Sequence, residues 1–263
     1  MQRVTSRQNP RLQEAARLIA SSRDRRKAGK CVLEGERLVG IYLDRVAAPE
    51  YLLIVDARVG DPPIAALAAR MPARDVVVVS ASLFAEVATL PAAVGVLAVV
   101  STPNPQMPPS AGFHLLLDDL QDPGNVGTIL RTAAAAGVEQ VLLSKLCAFA
   151  WSPKVLRAGQ GAHFLTTIVE DVDLATWAVS FRARGGHVAA TVAHDGTDLY
   201  STALPWPLAI AIGNEGAGIC APLLTQADMR ITIPMPGGME SLNAAAAAAV
   251  VLFEAVRTRG RVT

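Results

Sequence analysis

Short apolar runs recur along the chain, separated by polar turns and by stretches with helical spacing. In residues 9–20, Leu12, Ala15, Ala16 and Ile19 recur at intervals of three and four, which predicts a helix with Arg11 and Arg17 off its apolar stripe. The runs 31–33, 51–55, 76–79 and 94–100 have the length and near-continuous apolarity of buried strands. Residues 36–43, 64–70 and 82–88 read as helices interleaved with them. The alternation resumes further on, with strands predicted over 113–117, 141–143, 187–192, 208–212 and 229–233. Helices are predicted over 127–136, with Gly137 as a stop, and over 243–257. Strand and helix in alternation give an α/β class. Strands apolar on both faces imply a mostly parallel sheet covered on both sides.

One segment breaks the pattern. Residues 101–110 hold four prolines. Proline fixes φ and offers no N–H to a ladder, so this stretch reads as a semi-rigid spacer. The expected organisation is a unit over 1–100, a linker over 101–112 and a second unit over 113–263.

Composition changes little in that picture. With 51% hydrophobic and 18% charged residues in 263, the chain can bury a substantial core, and global disorder is excluded. The longest apolar stretches, 244–253 and 87–100 with Pro91 inside it, fall short of the roughly 20 residues that span a bilayer. Residues 1–10 are polar and basic, so no secretory leader is expected. Cys31, Cys147 and Cys220 are far apart, with no metal-ligand spacing to the scattered histidines. No metal site and no disulfide is expected, and a cytoplasmic location fits.

Charge adds one feature. The formal net charge is +1, but residues 1–30 hold nine Lys or Arg against only Glu14 and Asp24. Such an arm suits a polyanion. Arg3, Arg7, Arg11, Arg25, Arg26, Lys27 and Lys30 are the candidate contacts to a nucleic-acid backbone. They would anchor it without reading its sequence.

Three polar motifs stand at strand ends. The first holds Asn125, Gly127 and Arg131 after the 113–117 strand, where Asn125 is placed to cap the following helix. The second is the loop of residues 213–218, with Gly213, Glu215 and Gly218, directly after the 208–212 strand. Ligands in open α/β sheets bind at the carboxyl ends of strands. This loop lacks the spacing of the dinucleotide fingerprint, which argues against a nicotinamide oxidoreductase. The third runs from Ile233-Pro234-Met235 to Ser241-Leu242-Asn243 and opens a helix of small residues, with Asn243 a plausible cap.

Together, in this order and at these spacings, the motifs resemble the SpoU (TrmH) family of RNA ribose 2′-O-methyltransferases, within the SPOUT superfamily. The likeness covers about residues 113–257, and the segment 154–161 is similar to the family's connecting element. Residues 32–39 resemble the start of the family's N-terminal substrate-binding domain, a small α/β sandwich that binds RNA. The resemblance implies a SPOUT α/β fold with a C-terminal trefoil knot, a homodimer, and S-adenosylmethionine as cofactor. It implies that Thr191, Gly213, Ile233 and Leu242 hold the cofactor, and that Asn125, Arg131, Glu215, Ser241 and Asn243 form the catalytic site. Two departures bear on fine positioning: Ala244–249 replaces a run that often carries a second serine, and Gly159 stands where serine is frequent.

The implied reaction is methylation of a ribose 2′-hydroxyl in RNA, with 23S ribosomal RNA the expected substrate. The same reaction on transfer RNA, or a catalytically silent RNA-binding protein on this scaffold, are the alternatives. The family account gives Arg131 the role of base. A guanidinium keeps its proton in proteins, which instead favours Arg131 as an orienter of phosphate or developing oxyanion charge.

Overall fold

The computed structural model describes residues 1–89, 94–103, 105 and 111–259. Its first elements are β1 (Gln2–Val4), α1 (Pro10–Ala20), α2 (Ser22–Ala28), β2 (Lys30–Glu34), α3 (Glu36–Arg45), β3 (Tyr51–Val55), α4 (Pro62–Ala69), β4 (Val76–Val79), α5 (Ala81–Ala85) and β5 (Val96–Ser101). They are followed by β6 (Phe113–Leu117), α6 (Pro123–Ala135), β7 (Gln140–Leu143), α7 (Pro153–Gly159), β8 (Thr167–Val169), α8 (Leu174–Arg182) and β9 (His187–Thr191). The last are β10 (Thr197–Asp198), β11 (Leu208–Ile212), α9 (Ala221–Thr225), β12 (Met229–Thr232) and α10 (Ala244–Arg259). They form two units, Met1–Pro103 with Trp151–Phe164, and Asn104–Ala150 with Leu165–Thr263. The segment carrying α7, expected inside the second unit, thus groups with the first.

In the first unit a five-stranded sheet runs β1-β4-β3-β5-β2. Strands β1, β4 and β3 are mutually parallel, and β5 is antiparallel to both β3 and β2. Alternate strand residues such as Val77, Leu53, Val99 and Val32 bury against Leu12, Ala15 and Leu18 of α1 and Phe84 of α5. On α3 and α4 the buried residues are Leu38, Val39, Tyr42, Ile64 and Leu67. Helix α1 starts where Asn9 accepts from the amides of Arg11 (3.0 Å) and Leu12 (3.4 Å), with proline in the first turn. A cap of this kind contributes about 1 kcal/mol.

The N-terminal basic arm is not a free tail. Gln2–Val4 is an edge strand, and Ser21 and Gly29 bound α2 as cap and left-handed stop. Arg25 is buried, and its guanidinium donates to the carbonyls of Leu18 and Ile19, so it is a structural residue and does not face a nucleic acid. The proline-rich spacer also begins later than expected, because Ser101 closes β5 and the Thr102 amide donates to Gly29 O. Residues 104 and 106–110 of that spacer lie outside the described residues.

In the second unit a seven-stranded sheet runs β10-β12-β9-β11-β6-β7-β8, and every adjacent pair is parallel. Strands β6, β7 and β11 are buried along their whole length, as expected of parallel strands covered on both faces. Leu174, Trp177, Ala178 and Phe181 of α8, with Leu223 of α9, cover one face. Helices α6 and α10 pack together, and α10 also contacts β11. This topology brings the carboxyl ends of β6, β9, β11 and β12 to one edge, and the polar motifs sit there.

Candidate active site

Strand β6 ends in a turn that organises everything above it. Asp118 is buried, and its Oδ2 accepts from the Cys220 amide at 2.8 Å. Asp119 adopts a left-handed φ of 56°. Its Oδ1 accepts from Ser144 Oγ (2.7 Å), and its carbonyl accepts from Asn214 Nδ2 (2.8 Å). Asn214 Oδ1 in turn accepts from the amides of Gly216 (2.9 Å) and Ala217 (3.0 Å). The Asn214 and Gly218 backbones exchange both hydrogen bonds, at 3.0 and 2.9 Å, and close the loop. A side chain at Gly213 would place its Cβ 2.3 Å from the Gly218 carbonyl carbon, so only glycine allows this closure. Asp118, Asp119, Ser144 and Asn214 were not singled out in the sequence. Their partners lie between 25 and 102 residues away along the chain.

The closed loop fixes Glu215, and Glu215 joins the three motifs. Asn125 Nδ2 donates to Glu215 Oε1 at 2.7 Å. Asn243 Nδ2 donates to Asn125 Oδ1 at 3.0 Å. Asn243 Oδ1 meanwhile accepts from the amides of Ala245 (2.9 Å) and Ala246 (3.4 Å), capping α10 as expected. Asn125 does not cap α6. Asp122, three residues earlier, accepts from the Asn125 amide (2.8 Å) and caps that helix, which frees the Asn125 amide group for the relay.

Beside the relay lies a cavity of about 180 Å³. Thr191, Gly213, Ile233 and Leu242, the four expected cofactor residues, all line it, together with Glu215 and Ser241. The Thr191 hydroxyl is already committed, donating to Ala211 O at 2.9 Å. Ile212, Ile231, Ile233 and Ala247 give the cavity apolar walls, while Glu215 and Ser241 give it a polar rim. Among the described residues the Ser241 hydroxyl has no hydrogen-bond partner, so it is available to a ligand. Apolar walls for a purine, backbone polar groups along the loop and a carboxylate on the rim to face a cationic ligand fit S-adenosylmethionine.

Arg131 is the exception. It lies six residues past Asn125 on α6, about 9 Å along the axis and turned well away around it. It is exposed, and it makes no hydrogen bond or ion pair among the described residues. Of the five expected catalytic residues, the fold therefore gathers Asn125, Glu215 and Asn243 in one relay. It sets Ser241 on the neighbouring cavity and leaves Arg131 apart. Among the described residues no group of three or more His, Cys, Asp or Glu is placed to hold a metal ion.

The basic residues divide as well. Arg11 pairs with Asp75 at 2.8 Å and lies over the Tyr51 ring. Lys30 pairs with Glu14 (2.9 Å) and Glu50 (2.6 Å). Burial alone would lower the Lys30 ammonium, but the two carboxylates outweigh it and hold its pKa above the ordinary value. Arg7 pairs with Glu86 at the surface, while Arg3 and Lys27 have no hydrogen bond or ion pair among the described residues.

Known proteins resemble this chain along most of its length. The profile of the SpoU rRNA Methylase family matches residues 112–253. A protein of Synechocystis described as an uncharacterized tRNA/rRNA methyltransferase is 34% identical over 97% of this chain and 93% of its own. The 23S rRNA (guanosine(2553)-2′-O)-methyltransferase RlmP of Bacillus subtilis is 31% identical, covering 96% of this chain and 98% of its own. The crystal structure of the SpoU methyltransferase AviRb of Streptomyces viridochromogenes, in complex with AdoMet, superposes with a TM-score of 0.83 at 27% identity, covering 96% of this chain and 98% of that one. With the profile spanning more than half of the chain and the relatives spanning both units, the chain belongs to the SpoU rRNA methylase family and is an S-adenosylmethionine-dependent RNA methyltransferase.

Proposed function

We propose that this enzyme methylates a ribose 2′-hydroxyl of 23S ribosomal RNA. The observation that carries the reading is the Asn243–Asn125–Glu215 relay on the rim of the cavity. S-adenosylmethionine, when bound, supplies an activated methyl group. Thr191, Gly213, Ile233 and Leu242 would hold it through backbone and apolar contacts, and Ser241 offers a hydroxyl. Glu215, fixed by the closed loop and by Asn125, is a rigid acceptor for a ribose hydroxyl or a guanidinium. Positioning of this kind is worth about 7–11 kcal/mol when the reacting atoms are aligned. Arg131 orients the RNA phosphate or steadies charge developing on the 2′-oxygen. The proton leaves to water or another group. Ribosomal RNA is favoured by the likeness to RlmP, which extends through the N-terminal unit.

The reading includes a homodimer in the cytoplasm and a knotted C-terminal path. Support for the dimer comes from Phe253 and Val256 of α10, which stay 49% and 38% exposed, and from Arg131, which the relay of its own chain does not reach. A partner subunit's Arg131 would complete the site. Mixing Arg131→Ala chains with Asn243→Ala chains tests this: shared sites regain activity from two impaired proteins, and sites confined to one chain do not. Among the described residues no helix is long and apolar enough to cross a membrane.

The reaction is tested with labelled S-adenosylmethionine and unmodified bacterial RNA. Label is expected in large ribosomal RNA and, after alkaline hydrolysis, in resistant dinucleotides, the signature of a blocked 2′-oxygen. Label confined to transfer RNA, or in alkali-labile products, would overturn the proposal.

A further inference from the structure

The basic arm of residues 1–30 folds onto two opposite ends of one sheet. Lys30 opens β2 and is tied to Glu50, the residue before β3. Arg11 reaches Asp75, the residue before β4. Arg25 is buried on carbonyls. All three are engaged within the protein, and Lys30 and Arg11 mark the amino end of the parallel strands β3 and β4. Arg3 and Arg7 belong to the other end. Arg3 lies on β1, which runs parallel to β4, and Arg7 follows it.

At that carboxyl end is a cavity of about 430 Å³, whose lining includes Arg3, Arg7, Asp56, Ser80, Ser82, Leu83 and Glu86. Crevices outside the carboxyl ends of parallel strands are where open α/β sheets take ligands, and this volume is within the range of small-ligand sites. We propose that this crevice is the RNA-contact site of the N-terminal unit and takes one unpaired nucleotide of the substrate, its phosphate on Arg3 and Arg7 and its base beside Asp56 and the two serines. The proposal rests on the RNA-methylation reading and locates its substrate on this chain.

The chemistry of the lining supports that assignment. Arg3 has no hydrogen bond or ion pair among the described residues. Among the described residues Arg7 is held only by Glu86, in a pair whose side chains are 76% and 38% exposed. Such exposed pairs are weak, whereas a planar guanidinium binds a phosphate through two parallel bonds. Asp56 Oδ1 accepts from the Ala57 amide at 2.8 Å, which leaves Oδ2 open. A carboxylate can only accept, so it selects a base edge that offers N–H donors. Ser80 and Ser82, 2.9 Å apart, can donate or accept. RNA is read in this way where its bases are splayed from single-stranded loops.

The test is salt-dependent binding and steady-state methylation of unmodified 23S RNA transcript by the full chain. Arg3→Gln and Arg7→Gln should each raise the KM for RNA about threefold and flatten the slope of log Kd against log salt by about 0.7–0.9, with kcat and the affinity for S-adenosylmethionine unchanged. Glu86→Gln, which releases Arg7, should lower KM and steepen the slope, a gain that misfolding cannot imitate. Arg45→Gln, at the exposed end of α3, should change nothing. Asp56→Asn should raise KM without moving the slope. If Arg3→Gln, Arg7→Gln and Glu86→Gln leave both KM and slope at the wild-type values, or if Lys27→Gln alone flattens the slope, the crevice is not the contact site. A wild-type chain that binds S-adenosylmethionine but labels no RNA would instead overturn the methylation reading itself.

Discussion

Asn243 carries two tasks on two atoms, and substitutions can separate them. Its Oδ1 caps α10, and its Nδ2 holds Asn125. Asn243→Ala removes both. Loss of the cap should cost about 1 kcal/mol, or a melting temperature lower by about 2–4 °C for a protein of this size. Asn243→Asp keeps an acceptor at the cap, and the added negative charge suits a helix N-terminus. It should melt at or slightly above the wild-type temperature. It cannot donate, however. Asn125 then faces a carboxylate on either side, because Glu215 already occupies its Nδ2 at 2.7 Å. Whichever way the Asn125 amide turns, one contact becomes oxygen against oxygen. A hydrogen bond to a charged group contributes about 1.5–3 kcal/mol. Glu215 and Asn243 are exposed and Asn125 is half-buried in the single chain, which puts the loss at the low end. About 1.4 kcal/mol corresponds to a tenfold fall in rate. Single-turnover methyl transfer with both variants, next to calorimetric melting, gives the result. Asn243→Asp with wild-type stability and wild-type rate would refute the relay, and equal destabilisation by both variants would refute the division of labour.

Three further outcomes test the frame around that relay. Gly213→Ala forces its Cβ to 2.3 Å from Gly218 backbone and should abolish S-adenosylmethionine binding by calorimetry, whereas Gly216→Ala, with its nearest neighbour the Asn214 side chain at 3.6 Å, should bind nearly as the wild type does. Burial raises the Glu14 carboxyl, but hydrogen bonds from Lys30 and Tyr51 outweigh it and hold its pKa below the ordinary value. The stability from Glu14 is thus present above about pH 4.3 and lost as pH falls through the lowered pKa, while that from the raised Lys30 is present below about pH 10.4 and lost above it. Lys30→Met should flatten the acid limb of a melting-temperature profile, and an unchanged limb would contradict the assignment. Arg157→Ala strips a cationic partner from Glu34, whose side chain is 2% exposed, and should destabilise by about 1–3 kcal/mol in denaturant unfolding, with Glu34→Gln in the same background restoring part of it.

The near-continuous apolar strands are legible to the residue, as 51–55, 76–79, 113–117 and 208–212 show. Such runs have no alternative to burial between two layers. Strand β1 was not legible because two of its three residues are exposed, and its pairing with β4 depends on residues more than seventy positions away. Helix α2 was hidden by its charge: Ser-Arg-Asp-Arg-Arg-Lys-Ala reads as a solvated arm, and only Ser21 and Gly29 signal its ends. Helix α8 has its signals in Asp173 and the spacing of Leu174, Trp177, Ala178 and Phe181, but they stand outside the alternation of apolar runs. At the site, residue types revealed the motifs, but the direction of a side chain did not follow. Asn125 looked like a cap, and a shift of three residues hands that task to Asp122. The supports of the Gly213–Gly218 loop come from other strands, so no local window contains them.

The exposure of the relay has a consequence for activity. Glu215, Ser241 and Asn243 are open to solvent in the single chain. In water each of their hydrogen bonds competes with solvent, and Coulomb interactions at 4 Å fall to about 1 kcal/mol. A group that positions a poor nucleophile needs a drier setting, where fixed dipoles act strongly. The second chain proposed to dock on Phe253 and Val256 supplies that cover and brings the missing guanidinium. The cavity proposed for S-adenosylmethionine, by contrast, is assembled within one chain. Dilution should therefore split the two properties. Specific activity should fall as the chain concentration drops below the dimer dissociation constant, while S-adenosylmethionine affinity per chain changes little. Sedimentation measured beside the activity locates the transition. Specific activity that stays constant while the protein sediments as a monomer would show that one chain suffices and would return Arg131 to a role outside the relay.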